Sequence, residues 1–495
     1  MDKKNNQQNQ ALKPFALGAL VIGMLWGASF LPEVKLNGIS SKKINILSDI
    51  SSSEHKPLHP DNQQAYLDSL QSVRDSLEAV YKMKLQASHL DSLREIKKDS
   101  IRKLALIRID SLKNSTTAFE DYSIEQNALE HFFKTLHDRH KIKRPVRVAF
   151  LGDSFIEGDI MVCDIREALQ KQFGGRGIGF VPMASVVAAY TPTVKHEFKD
   201  WTTLSIINSQ YKSYPFTLTG VAFKPMKNGA RASFEGIKGR ARLDTVSRAR
   251  ILYRNPKNAA IDLFINNKDS MRYDLADQHG LGQIVVNNSI SSLKMTVAEA
   301  DSVEMLGVVL EDKSGVSVDN YSVRGNSGLL MYRVNINETR ELQKLMNYDL
   351  VVLQYGVNAV ERDVLSYSGY RKQMVNVISR LQKALPNTSF LLLSVPDRST
   401  QVDGEFVTMD GIYGMIRAQK EIAQECGLAF WNMFEAMGGE NSMVGFVAKN
   451  WGSKDYTHIS HAGGRYIASS FIKAMLLEKE KYDALFNIDN EVAYE

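Results

Sequence analysis

From residue 146 onward the chain returns repeatedly to short, almost wholly apolar runs, at 146–151, 349–355, 389–395 and 428–431. The intervals carry apolar residues at helical spacing, at 164–173, 370–385 and 413–426. A strand with one wet face alternates polar and apolar residues, so unbroken apolar runs read as strands covered on both sides. Strands alternating with helices in this way predict a parallel sheet between two helical layers. A helical pattern over 463–479 would close it. Ser123 with Gln126, at capping-box spacing ahead of Leu129, Phe132, Phe133 and Leu136, predicts a helix that opens the folded head.

One long interval breaks the rhythm. Between 192 and 320 the runs are short and β-rich, at 204–207, 249–253, 261–265, 293–297 and 305–310, divided by Gly, Asn and Asp turn residues. An inserted all-β domain, read as a sandwich, is expected there, splitting the α/β core into 120–191 and 321–485. Its two ends must then lie close together at one edge of the core.

At 495 residues the chain exceeds one ordinary core, so folded units with appendages are expected. Residues 15–31 are uncharged and apolar and follow Lys3, Lys4 and Lys13. As a helix at ~1.5 Å per residue the run reaches roughly 26 Å, near the lower limit for a hydrocarbon layer about 30 Å thick. The basic flank predicts a cytoplasmic tail over 1–14 and export of everything after 31. No small-x-small cleavage site follows, so an uncleaved single-pass membrane anchor is expected rather than a cleaved signal peptide. Residues 32–60, Ser-rich and carrying Pro57 and Pro60, read as a linker. Over 61–115 Tyr66, Leu70, Val73, Leu77 and Val80 fall at heptad-like spacing, with a looser register through Leu90, Leu93, Leu104 and Ile107. A helical spacer is expected, roughly 80 Å long if continuous, with a face available for self-association.

The composition, 44% hydrophobic and 24% charged with a formal net charge of +5, is that of globular protein. Lysines and arginines are spread among comparable numbers of acids, so no nucleic-acid partner is expected. Cys163 and Cys426 are too few for a disulfide framework or a zinc ribbon; two buried thiols and a single bridge both remain open.

The strand at 146–151 runs into Gly152, Asp153, Ser154 and Phe155 and then into a helix. A serine at such a turn is presented at the carboxyl edge of the sheet, hydroxyl outward, with its backbone N–H available to an oxyanion. The bland alternative is that Asp153 and Ser154 merely cap the helix. Near the C-terminus Asp455 precedes His458 by three positions, close enough for the carboxylate to hold one ring nitrogen and aim the other at a hydroxyl. His461 could make His458 half of a metal site, but no matching acids or cysteines support one, and no cofactor is expected. Gly325, within Arg324-Gly325-Asn326-Ser327, can offer a backbone N–H, since a glycine lets the chain approach closely. Asn358, after Gly356 and Val357 at the end of the 349–355 strand, can offer a side-chain amide.

Taken in order, Ser154, Gly325, Asn358 and His458 resemble the four motif blocks of the SGNH (GDSL-type) hydrolases over a region from about residue 146 to the C-terminus. The resemblance implies a flavodoxin-like three-layer α/β/α core, a catalytic triad of Ser154, His458 and Asp455, and an oxyanion hole from the Ser154 and Gly325 N–H groups with Asn358. Phe155 stands where leucine or histidine is more usual, and Ala359 where aspartate follows the asparagine; neither change removes a reacting atom. The β insert, the run 173–182 and the stretch 314–324 are further similar to the peptidoglycan O-acetylesterases of that family, whose insert resembles a carbohydrate-binding module. The glycines of 173–182 follow a helix instead of joining a strand to one, so they read as a loop rather than a dinucleotide fingerprint.

The expectation is therefore a serine esterase acting on an O-acetylated envelope glycan, peptidoglycan first. An O-acetyltransferase on the same glycans shares the acyl-enzyme and differs only in acceptor, and a glycan-binding scaffold with a vestigial triad is the non-enzymatic rival. A lipase is disfavoured by the lack of an apolar lid segment beyond 15–31. Trp201, Tyr211, Tyr214 and Tyr253 could stack on sugars, but aromatics in β domains usually fill cores.

Overall fold

The strand Val146–Gly152 lies second in a six-stranded sheet whose order is Val316–Ser322, Val146–Gly152, Tyr348–Gln354, Ser389–Leu393, Ala429–Trp431 and Phe119–Asp121. The first five are mutually parallel and the last pairs antiparallel. Numbered along the chain, the parallel strands run 2-1-3-4-5, the flavodoxin-like order, in which the chain reverses direction across the sheet beside its first strand. The computed structural model describes residues 117–125 and 127–486, together with 35–36, 39–40, 68, 71–86, 89, 92–93, 100 and 103.

Every residue of Val146–Gly152 and of Tyr348–Gln354 is buried, as expected of strands covered on both faces. Alternate side chains serve opposite layers. Val148 and Phe150 pack with the helices Glu130–His137, Val162–Phe173 and His461–Phe486. Ala149 and Leu151 pack with Ile336–Met346, Ser368–Ala384 and Gly411–Cys426. The helix Ile336–Met346 escaped the sequence reading because it buries only Thr339, Leu342 and Met346 among polar neighbours; its start is fixed by Asn335, whose side chain accepts from the N–H groups of Asn337 and Glu338.

The insert is a sandwich of two antiparallel sheets. One runs Leu281–Ile290, Val246–Lys257, Ser302–Glu311, Val221–Pro225 and Trp201–Ser205; the other runs Asp269–Leu275, Ala259–Ile265, Ser292–Glu299, Arg231–Gly236 and Val194–Lys199. Ile251, Met305, Leu263 and Met295 meet between the sheets, whereas Leu252 and Leu306 face outward into the α/β core. A charged knot lies beneath this seam. Arg147 of the first core strand bonds Asp319 at 2.9 Å and also Glu311 of the insert, which Arg248 contacts at 2.6 Å. Burial alone would raise the Glu311 carboxyl; Arg147, Arg250 and Arg248 hold it down at about 2.

Three expectations are corrected. The insert does not span 192–320: Gly179–Pro182 already pairs with its strand Ser302–Glu311, and Val316–Ser322 belongs to the core sheet. The alternating polar residues of Val316–Ser322, including Asp319 beneath Arg147, concealed a buried strand. The ends of the insert do meet, the N–H of Val316 donating to the carbonyl of Gly174 at 3.0 Å. Ser123 caps no helix; it folds back on Asp121 at 2.9 Å, and the helix starts at Glu130, with Gln126 outside the described residues. Ser154 does not run straight into a helix: a 3₁₀ turn, Glu157–Asp159, intervenes before Val162–Phe173, pinned by the buried pair Asp159–Arg166 at 2.5 Å.

Cys163 and Cys426 are both free thiols. Ahead of the folded head, residues 71–86 are helical, with Val73, Leu77 and Val80 exposed. The tail 1–14, the apolar run 15–31 and most of the linker and spacer over 32–115 lie outside the described residues. Among those described, no helix is long and apolar enough to cross a membrane.

Candidate active site

Gly152 ends the first core strand in a crowded spot: a Cβ there would lie 2.6 Å from Ile156 Cδ1 and 2.8 Å from Gln354 Oε1, so these buried side chains would have to shift to admit one. Beyond it Asp153 turns inward and Ser154 outward. The Asp153 carboxylate accepts from the N–H of Phe155 at 2.9 Å, which closes the turn and leaves the Ser154 hydroxyl half-exposed at the sheet edge. Neither residue caps a helix.

The histidine arrives on a tight loop. An isolated antiparallel bridge joins Gly452 to Ile459, the N–H of Ser453 donates to the carbonyl of His458 at 2.8 Å, and Tyr456 takes a left-handed φ of 53° between them. Asp455 Oδ1 accepts from the N–H groups of Thr457 and His458, each at 3.0 Å, while its Oδ2 lies 2.7 Å from His458 Nδ1. Burial would raise this carboxyl, but the N–H and ring of His458 and the N–H of Thr457 outweigh it and hold Asp455 below the usual carboxylate range. An ionised Asp455 fixes the proton on Nδ1, so the lone pair of Nε2 faces Ser154 Oγ, 2.9 Å away. Hydroxyl, imidazole and carboxylate thus form one unbroken line, an arrangement that can strip a proton from serine as it attacks a carbonyl.

The other arm is anchored on the buried residues Asp153 and Asn326, while Asn358 itself is exposed. Asn358 Nδ2 donates to Asp153 Oδ2 at 3.0 Å and to the carbonyl of Asn326 at 3.3 Å, tying the ends of two core strands to the loop that carries Gly325. That loop is moored to the same edge by the N–H of Val323, which donates to the carbonyl of Gly152 at 2.9 Å. Ser154, Asn358 and the Gly325 loop therefore converge on one rim, although Asn358 spends its amide on Asp153 and Asn326 in this state. Gly325 has a further reason to be glycine, a left-handed φ of 78°, and no protein atom lies within 4 Å of where a Cβ would stand. Burial pushes the Asp153 carboxyl up to about 6, against the opposing pull of the Phe155 N–H, Gln354, His458 and Asn358.

Two features went unread in the sequence. Asp153 was weighed only as a helix cap, and nothing local in the chain reveals its bond to a residue 205 positions away. A two-stranded hairpin, Ser399–Val402 with Glu405–Thr408, stands beside the triad loop; its Asp403-Gly404 turn, both residues at positive φ, was a readable signal. His461 opens the last helix, and no group of three or more potential metal ligands occurs among the described residues.

No family model matches the sequence, and no curated protein matches it. Among solved structures, a peptidoglycan O-acetylesterase superposes with a TM-score of 0.60 at 21% identity, over 73% of this chain and 98% of that one. A family two carbohydrate esterase from Cellvibrio japonicus (9% identity, 59% of this chain and 99% of that one) and a lipase/acylhydrolase from Enterococcus faecalis (15%, 33% and 77%) give TM-scores of only 0.25 and 0.23, too loose to bear on this chain. The chain has the fold of an SGNH-type hydrolase: a flavodoxin-like α/β core interrupted by a β domain. Within that class its architecture is similar to that of the peptidoglycan O-acetylesterase.

Proposed function

We propose that this protein is a serine esterase that removes O-acetyl groups from an envelope glycan, with peptidoglycan as the substrate. The observation that carries the reading is the line from Ser154 Oγ through His458 to Asp455, at 2.9 and 2.7 Å, on the carboxyl edge of the sheet. Ser154 attacks the acetyl carbonyl while His458 Nε2 takes its proton. The tetrahedral oxyanion is met by the N–H groups of Ser154 and Gly325 and by the amide of Asn358, which exchanges its longer bond to Asn326 for the developing charge. Collapse breaks the bond to the sugar oxygen, to which His458 returns the proton; water then repeats the sequence on the acetyl-serine. The similarity in architecture to a peptidoglycan O-acetylesterase supports the choice of substrate. The run 15–31 is proposed to anchor the chain, with the catalytic head and its spacer on the extracytoplasmic side.

The test is acetate release from O-acetylated peptidoglycan, with chitooligosaccharide offered as a competing acceptor. Release by the wild type and a fall of about 10⁶-fold in kcat for Ser154→Ala are expected. Wild-type turnover by Ser154→Ala would sink the assignment of the nucleophile, and dominant transfer to the added sugar would make the protein an acetyltransferase instead.

A further inference from the structure

We infer that the hairpin Ser399–Thr408 is a sugar-binding platform, on which Phe406 stacks against a pyranose ring of the glycan whose ester lies at Ser154. The inference rests on the proposed glycan specificity and adds a site to it.

The hairpin belongs to none of the three large sheets; its two strands pair only with each other. It is nevertheless rigidly mounted. At its base Thr408 exchanges bonds with Asn441, its N–H donating to Asn441 Oδ1 at 2.9 Å and its Oγ1 accepting from the Asn441 N–H at 2.7 Å. The Thr408 hydroxyl also donates to the buried Asp397 carboxylate at 2.9 Å. On its inner side the N–H of Ser399 donates to the carbonyl of Tyr456, the residue directly after Asp455. The Phe406 ring lies flat on the Tyr456 ring, with centroids 3.6 Å apart and planes 7° from parallel. Tyr456 in turn packs on the core cluster beneath it.

A phenylalanine placed only to brace the triad loop would be expected to bury its ring. Phe406 instead remains 37% exposed, and since Tyr456 covers one face, that exposure falls on the opposite face and the edge. Directly across the ladder stands exposed Gln401, and exposed Asp403 and Glu405 flank the tip. An open aromatic face beside an amide suits a pyranose, whose C–H face is apolar and whose rim carries hydroxyls. An acyl chain would need a continuous apolar trough, and here only Val402 and Phe406 are both large, apolar and exposed. The stack places this surface on the residue next to Asp455, and the sugar it takes is the one bearing the scissile acetyl or a neighbour in the polymer.

Binding is read without turnover in the Ser154→Ala background, with chitotetraose as the probe and its Kd followed by titration calorimetry. Adding Phe406→Ala is expected to weaken Kd roughly ten-fold, and Phe406→Trp to retain it, since an indole keeps the flat face. In the otherwise wild-type enzyme Phe406→Ala should lower kcat/KM on O-acetylated glycan about ten-fold more than on a small aryl acetate, chiefly through KM. An unchanged Kd, or equal losses on both esters, would overturn the platform and leave Phe406 as a brace for the triad loop. Equal thermal melting of the variants excludes misfolding as the cause. Acetate release from glycan by the wild type tests the esterase reading separately: if it fails while Phe406→Ala weakens chitotetraose binding, the platform stands and the proposed reaction falls.

Discussion

His458 is held almost wholly by its own loop, whereas Asn358 is held by residues from two distant parts of the chain. Asp455, three positions from the histidine, supplies both the backbone and the ring contacts, and the pair is substantially open to solvent, 39% and 51% exposed. Asp153, which orients Asn358, is 1% exposed and 205 positions away. The first arm is therefore assembled locally around an exposed carboxylate; the second presents an exposed amide that is held by a carboxylate buried in the packing of the sheet edge. Electrostatic partnerships are stronger, and more expensive to leave unsatisfied, in the second setting. The two arms should accordingly fail in different ways.

The largest expected effect that probes the difference is Asp455→Asn. The amide cannot hold the Nδ1 proton as a carboxylate does, so a share of the imidazoles turn the wrong tautomer toward Ser154, and kcat on an aryl acetate should fall roughly 10³- to 10⁴-fold. Because the pair is exposed, stability should move by no more than about 1 kcal/mol. A large loss of stability in urea unfolding would show that the loop is not self-supporting.

Next comes Asn358→Ala, expected to cost about 10²- to 10³-fold in kcat with KM little changed, since the amide is needed most when charge develops on the carbonyl oxygen. It also strips a hydrogen-bond donor from buried Asp153. It should therefore shift the pH dependence of unfolding up to about pH 6, where Asp153 titrates, whereas Asp455→Asn alters it only at the acid end, where the lowered Asp455 carboxyl titrates; a shift confined to activity would break the contrast between the arms.

The same contrast explains what could be read from the sequence. The spacing of Asp455 and His458 is a local pattern, and the apolar runs that became Val146–Gly152 and Tyr348–Gln354 are wholly buried strands, so both were legible from residue types alone. Val316–Ser322 was hidden because a buried strand may carry polar residues when the sheet supplies their partners, as Arg147 does for Asp319. The helix Ile336–Met346 was hidden because three buried side chains leave little periodicity. At Gly325 the left-handed backbone angle was not legible: sequence shows that a side chain is absent but not which φ the position takes. The bond between Asp153 and Asn358 exists only once two strands lie side by side, and no window along the chain contains both.

Asp153→Asn, the smallest expected change in turnover, tests the buried arm most directly. An asparagine at 153 can still accept from the Phe155 N–H, but its own amide then points a donor at Asn358 Nδ2. Asn358 must turn over or withdraw, so kcat should fall roughly 10- to 100-fold, and the double variant with Asn358→Ala should lose little beyond Asn358→Ala alone. The sign of the pH effect follows from burial. With its folded-state pKa raised from 3.8 to about 6, Asp153 keeps a proton over an interval in which the unfolded chain has lost it. Its contribution to stability is full below about pH 4 and is lost as pH rises through 6. The titratable groups facing it are His458, Tyr355 and Tyr370. Measured by urea unfolding, the stability of the wild type relative to Asp153→Asn should therefore rise by up to about 3 kcal/mol between pH 7.5 and pH 4, whatever constant offset the donor clash adds. A difference that stays flat with pH would mean that the carboxylate is solvated after all, and that both arms of the site rest on exposed carboxylates.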